Sequence, residues 1–164
     1  VLNEIATSFS SFAGLPRINL AALPVSEVIR SVASLYHNHP QGRVVWREDE
    51  SFMVMADEKI LSRALSNIIL NALQSADRPV SVLIRVQAAG QKICIAVKDD
   101  GPGIPRQERE AIFARGARLD TDKPGTGLGL AIVRDVADIY GGRVSLEESE
   151  DLGGLLARLS LPAG

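Results

Sequence analysis

The chain has 164 residues, 46% of them hydrophobic, and 18 basic against 20 acidic side chains leave a formal charge of −2. That is apolar material for one packed domain, and the missing basic excess argues against nucleic acid and against an anionic membrane surface as partners. The single cysteine, Cys94, excludes an internal disulfide, and no apolar run approaches the roughly 18 residues that a membrane-spanning helix needs.

The chain starts at Val1 in mid-pattern without an initiator Met, so it reads as a piece cut from a longer protein. Over residues 2–15, Leu2, Ile5, Ala6, Phe9, Phe12 and Ala13 recur at helical spacing up to Gly14 and Pro16. Phe9 and Phe12 make that face sticky for a short surface helix. Residues 17–25 predict a short strand and turn. Ser26 is the expected N-cap of a helix to residue 36, with Val28, Ile29, Val32 and Leu35 as its buried stripe. Strands are expected over 44–47 and 52–56. Asp57 then caps the strongest helical pattern, residues 58–76, whose core positions are Leu61, Ala64, Leu65, Ile68, Ile69, Ala72 and Leu73. Residues 80–88 and 92–98 read as paired strands around Ala89-Gly90. A Gly/Pro loop, a short helix over 106–113 and a polar stretch over 114–126 follow. Residues 128–140 form the last helix, and 143–148 and 155–161 the closing strands. Helices and strands come in blocks, which predicts an α+β fold with a helical layer on one face of a mixed sheet.

Three features carry chemistry. Asn67 and Asn71, four apart on one face of the 58–76 helix, lie among Ile68, Ile69 and other apolar residues. An unpaired amide there would cost ~1–3 kcal/mol, so something polar must meet them, either nearby backbone or a hard cation with the phosphates it carries. Second, Asp99-Asp100-Gly101-Pro102-Gly103-Ile104-Pro105 follows a strand in which Ile93, Ile95 and Val97 share a side by alternation. Asp99 continues that phase, whereas Asp100 should face solvent. A carboxylate on the apolar side needs a donor, for which an exocyclic adenine amine is one candidate, and Gly101 and Gly103 would admit a ring close to the backbone. An acidic turn explains the same residues. Third, Gly125-Thr126-Gly127-Leu128-Gly129-Leu130 runs into an amphipathic helix, a start that suits an anion. It is neither a Walker A loop nor a dinucleotide fingerprint.

In this order and spacing the three features resemble the N, G1 and G2 boxes of histidine kinases in the GHKL ATPase superfamily, over residues from about Leu20 to Leu161. Ala111-Ile112-Phe113-Ala114-Arg115-Gly116 resembles the F box before the mobile ATP lid, and residues 112–140 resemble the magnesium-sensor type of kinase. The resemblance implies a Bergerat two-layer α/β sandwich over 19–164, with 1–18 as the end of a dimerisation and phosphotransfer helix plus linker. It implies that Asn71 binds Mg²⁺, that Asn67 lies by the phosphates of ATP, and that Asp99 accepts from adenine. Gly101, Gly103 and Ile104 would line the base pocket, and Thr126, Gly127, Leu128, Gly129 and Leu130 would cradle the phosphates. Arg115, beside Gly116, would reach the γ-phosphate, with Arg118 and Lys123 as further candidates.

Hydrolytic relatives have a Glu at the position of Asn67; an amide cannot act as a general base, which fits a kinase that keeps ATP from water. Gln74 and Ser75 depart from the Lys and aromatic frequent in the family, and Gly153-Gly154-Leu155 departs from the usual Gly-Thr pair. His37 and His39 read as surface loop residues, so the phosphoacceptor would lie in the parent's own dimerisation domain, before Val1. Further partners implied are a response regulator receiver domain and a second copy of the parent, with the piece itself monomeric. The implied location is cytoplasmic, which leaves room for a parent anchored in the inner membrane. The alternatives are a nucleotide-responsive module without phosphotransfer and a GHKL serine kinase acting as an anti-sigma factor, which the N-terminal helix disfavours.

Overall fold

Alternation of buried and less buried positions organises the main sheet. In the computed structural model, which describes residues 19–40, 42–47, 52–113 and 129–163, strands β2 (Gly42–Trp46), β4 (Val80–Ala89), β5 (Lys92–Asp99), β6 (Arg143–Glu148) and β7 (Leu155–Pro162) form a sheet in the order β2-β4-β5-β7-β6. β2 and β4 run parallel, and every other pairing is antiparallel. Val80, Val82 and Ile84 of β4 and Ile93, Ile95 and Val97 of β5 are buried with Leu159 and Leu161 of β7. Helices α1 (Val25–Ser34), α2 (Glu58–Leu73) and α3 (Gly129–Ile139) cover them, and Ile29, Leu61, Leu65, Ile69, Val133 and Val136 join the same core. The expected α+β sandwich is the fold observed.

Asp57 caps α2 as expected: its Oδ1 accepts from the amides of Lys59 and Ile60 at 2.9 and 3.2 Å. The helical segments differ from the sequence reading in several places. α1 starts at Val25, and Ser26 is buried inside it. Pro24, extended at φ −72° and ψ 118°, occupies the cap position, and the Val25 amide donates to the Phe52 carbonyl, so no side-chain cap is needed. Leu35, expected on the buried stripe, follows the end of α1 and is 73% exposed. α2 stops at Leu73, short of residue 76, because the Ser75 hydroxyl and amide both donate to the Ala72 carbonyl. Residues 106–113 form two 3-10 turns, Arg106–Glu108 and Ala111–Phe113, whose bonds close over three residues. The strand predicted within 17–25 is β1 (Ala21–Pro24), and it pairs antiparallel with β3 (Met53–Ala56) in a separate two-stranded sheet.

Candidate functional site

The polar residues of α2 form a line. Asn67, Asn71 and Ser75 follow one another at four-residue spacing, so each lies one turn beyond the last, with Ser75 just past the helix end. Asn67 Nδ2 is fully buried and has no hydrogen-bond partner among the described residues. The Asn71 amide, partly buried, makes no hydrogen bond within the described residues. An orphaned buried amide costs ~1–3 kcal/mol, and a polar ligand lying along this line would remove that cost. Gln74 supplies the backbone C-cap of α2, its amide donating to the Leu70 carbonyl at 2.9 Å.

Ser75 marks where that line meets the end of β5. A Cβ on Gly101 would lie 2.4 Å from Ser75 Oγ and 3.1 Å from Asp99 Oδ1, so a side chain there would force the Ser75 hydroxyl to move. Asp99 is 2% exposed and, as its strand phase predicted, faces the apolar side. Its Oδ1 accepts from the amides of Gly101 at 2.9 Å and Leu155 at 3.1 Å, while Oδ2 has no hydrogen bond within the described residues. Burial pushes the Asp99 carboxyl above the usual carboxylate range. The Leu155 and Gly101 amides pull it down, and neighbouring Asp100 adds a smaller upward push. Asp100 turns outward, accepting from the Ser81 amide at 2.8 Å and facing Arg78 at 3.7 Å.

Sequence reasoning missed Gly154. A Cβ there would run into Asp99 and lie 2.7 Å from the Gly101 amide, and Gly154 also packs against Gly103. The signal was the Gly-Gly pair before β7, but its meaning needed the pairing of β7 beside β5. The structure thus brings Ser75, Asp99, Gly101, Gly103 and Gly154 together, with Asn67 and Asn71 further up α2. Ile104, half-buried, accepts at its carbonyl from Arg109 Nε at 3.0 Å. Gly129 opens α3, where Leu130 is buried in the core. Arg115, Gly116, Arg118, Lys123, Thr126, Gly127 and Leu128 lie outside the described residues, as do the expected 2–15 helix and the ATP lid. His37 and His39 follow α1 in a turn, His37 exposed.

Among the described residues no helix is long and apolar enough to cross a membrane, and no His, Cys, Asp and Glu cluster could hold a metal ion. The amides of Asn67 and Asn71 remain as neutral oxygen donors. They fit a phosphate-borne hard cation better than an all-protein carboxylate cage.

Residues 56–164 match the family described as histidine kinase-, DNA gyrase B-, and HSP90-like ATPase. Sensor protein kinase CarS of Pseudomonas aeruginosa is 41% identical over 123 residues, 75% of this chain and 27% of that protein. Two-component sensor PhoQ of the same organism is 38% identical over 66% of this chain and 24% of its own length. The chain therefore spans about a quarter of the length of these relatives. Among solved structures, full-length ShkA in complex with AMPPNP superposes with a TM-score of 0.76 at 28% identity, over 90% of this chain and 32% of that one. The family match begins at Ala56, the last residue of β3, yet α1 and Val54 before it share the core with the rest.

Proposed function

The chain belongs to the histidine kinase-, DNA gyrase B-, and HSP90-like ATPase family, as a catalytic domain of the sensor histidine kinase type, and we propose that it binds Mg-ATP and donates the γ-phosphoryl to a histidine of its parent's dimerisation domain. The observation that carries this reading is the half-satisfied, buried Asp99 carboxylate between two glycines. Its Oδ1 is held by two backbone amides, so Oδ2 is oriented to accept from an exocyclic adenine amine. Gly101 and Gly154 let the backbone pack closely around Asp99, and in this reading Gly103 and Ile104 would line the base.

From the base, the triphosphate would run back along α2. Asn71 would hold Mg²⁺, which when bound supplies neutralisation of the charge on the phosphate oxygens. Asn67, whose buried Nδ2 lacks a partner among the described residues, would donate to a phosphate oxygen. Its amide cannot take a proton from water near neutral pH, which leaves an imidazole as nucleophile. The domain then works mainly by positioning ATP, with Arg115 and the 126–130 stretch at the phosphates. In this reading residues 1–18 end the dimerisation domain, the parent is a homodimer that passes the phosphoryl to a response regulator receiver domain, and the piece alone is monomeric.

A second reading, a nucleotide-responsive module without phosphotransfer, has one observation in its favour. Ser75 donates its hydroxyl proton back to the Ala72 carbonyl and has no ring on which a base could stack. The first test is calorimetric titration of the chain with a non-hydrolysable ATP analogue, with and without Mg²⁺, beside Asp99→Asn. Binding that depends on Asp99 supports the site, and no binding to the folded wild type overturns it. Adding the histidine-bearing domain with labelled ATP then separates the two readings: labelled phosphohistidine supports the kinase, and its absence leaves the module.

A further inference from the structure

Beside Asp99 stands a second side chain with hydrogen-bonding capacity to spare. Ser75, half-buried just past the end of α2, commits its proton to the Ala72 carbonyl at 2.7 Å. A hydroxyl oxygen whose proton is engaged keeps its lone pairs, so towards any further group it is an acceptor. No donor among the described residues reaches it. The point where Gly101 would carry a Cβ lies against Ser75 Oγ and 3.1 Å from Asp99 Oδ1, so hydroxyl and carboxylate flank one glycine. The hydrogens around that glycine are taken. Both the Gly101 and the Leu155 amides donate to Asp99 Oδ1, and the Ser75 proton goes to Ala72.

What is left is one open acceptor on each residue, Asp99 Oδ2 and Ser75 Oγ. Asp99 is almost fully buried, and an acceptor left unmet there carries a desolvation cost. The group that suits two neighbouring acceptors has two hydrogens on one atom, as an unsubstituted NH2 has, whereas a carbonyl would set its lone pairs against theirs. We propose that Ser75 is a specificity-determining residue of the base pocket, its oxygen accepting the second hydrogen of the exocyclic amine whose first hydrogen goes to Asp99. The inference rests on the ATP-binding reading above and extends it. Asp99 alone would select a base with one N–H at that edge. Asp99 and Ser75 together select a free NH2, against a methylated amine that has one hydrogen left and against a base with a carbonyl in its place.

The test titrates the chain and its Ser75→Ala and Ser75→Cys variants by calorimetry with ADP and with N6-methyl-ADP. Ser75→Ala should weaken ADP roughly fivefold, the scale of one neutral hydrogen bond. Wild type should bind N6-methyl-ADP roughly tenfold more weakly than ADP, and in Ser75→Ala, with no bond left to lose, that ratio should fall to about twofold. Ser75→Cys keeps the bulk but offers only a weak sulfur acceptor, so it should weaken ADP as the alanine does. Unchanged ADP affinity in Ser75→Ala overturns the proposal, and so does an equal loss for both nucleotides, which would report a loosened helix end. ADP bound by Ser75→Cys as tightly as by wild type overturns it too, because bulk would then explain the selection. A wild type that binds neither nucleotide removes the ATP-binding reading and this inference together. A wild type whose preference for ADP survives Ser75→Ala intact overturns only the role of Ser75.

Discussion

Asp99 shows how a single residue can be kept at a cost to the fold. Desolvation raises its pKa from 3.8, so the folded state holds the proton more tightly than the unfolded chain. As pH rises from 3.8 through that raised value, stability falls. Asp99→Asn keeps an oxygen for the Gly101 and Leu155 amides and removes the buried charge. Its thermal midpoint at pH 7 should therefore exceed that of wild type, with the gain shrinking as the pH approaches 4. The same variant should weaken an ATP analogue by about 10–100-fold, the scale of a hydrogen bond to a charged acceptor. Gly154→Ala tests the neighbouring contact, because its methyl has no room beside Asp99. Overpacking of this kind costs ~1–3 kcal/mol, visible as a lower urea midpoint together with lost analogue binding. Asp99 was legible in the sequence because strand alternation is local. Gly154 was not, because its neighbour lies 55 positions earlier and meets it only through the β5–β7 pairing.

At the scale of elements, Asp57 joins three parts of the fold. Its Oδ1 caps α2, its Oδ2 accepts from the Asn19 amide at 2.7 Å, and its own amide donates to the Tyr140 hydroxyl at 2.9 Å, just past the end of α3. Asp57→Ala should cost at least the ~1–2 kcal/mol of a lost N-cap, measured by urea unfolding. Burial pushes the Tyr140 hydroxyl up to about 12 from 10.0. Its contribution to stability is fully present below pH 10 and is lost as pH rises through 12. Alkaline melts should thus fall more steeply for wild type than for Tyr140→Phe over that interval. The phenylalanine variant should also be less stable at pH 7, since the buried Asp57 amide loses its partner. The cap was readable from Asp57 and the pattern behind it. The Tyr140 contact spans 83 positions and had no signal, and Ser26 misled because backbone pairing to Phe52 met the need that its side chain was expected to meet.

For the whole molecule, nucleotide binding should appear as stability. An analogue present at 100 times its Kd adds about 2.7 kcal/mol to the folded state, a rise of several degrees in thermal midpoint for a chain of this size. Chelating Mg²⁺ should reduce that rise for wild type, and Asn71→Ala should show the reduced rise with or without Mg²⁺. A wild-type rise indifferent to Mg²⁺ would remove Asn71 from the role of metal ligand.

Periodicity settled much before any coordinates were needed. Helical spacing placed α2 and α3, alternation placed β4 and β5, and the order of Asn67, Asn71, Asp99 and the glycine-rich stretch pointed to the ATPase family. The periodic patterns and each single motif are local, where chain geometry alone relates one side chain to the next. The tertiary structure decided what depends on contact between distant segments. It set the separate β1–β3 sheet, the close glycine packing around Asp99 and the contact of Arg134 with Phe113. Such contacts follow from how layers pack, and packing answers to volume and hydrogen-bond supply across the whole core, which no local pattern encodes.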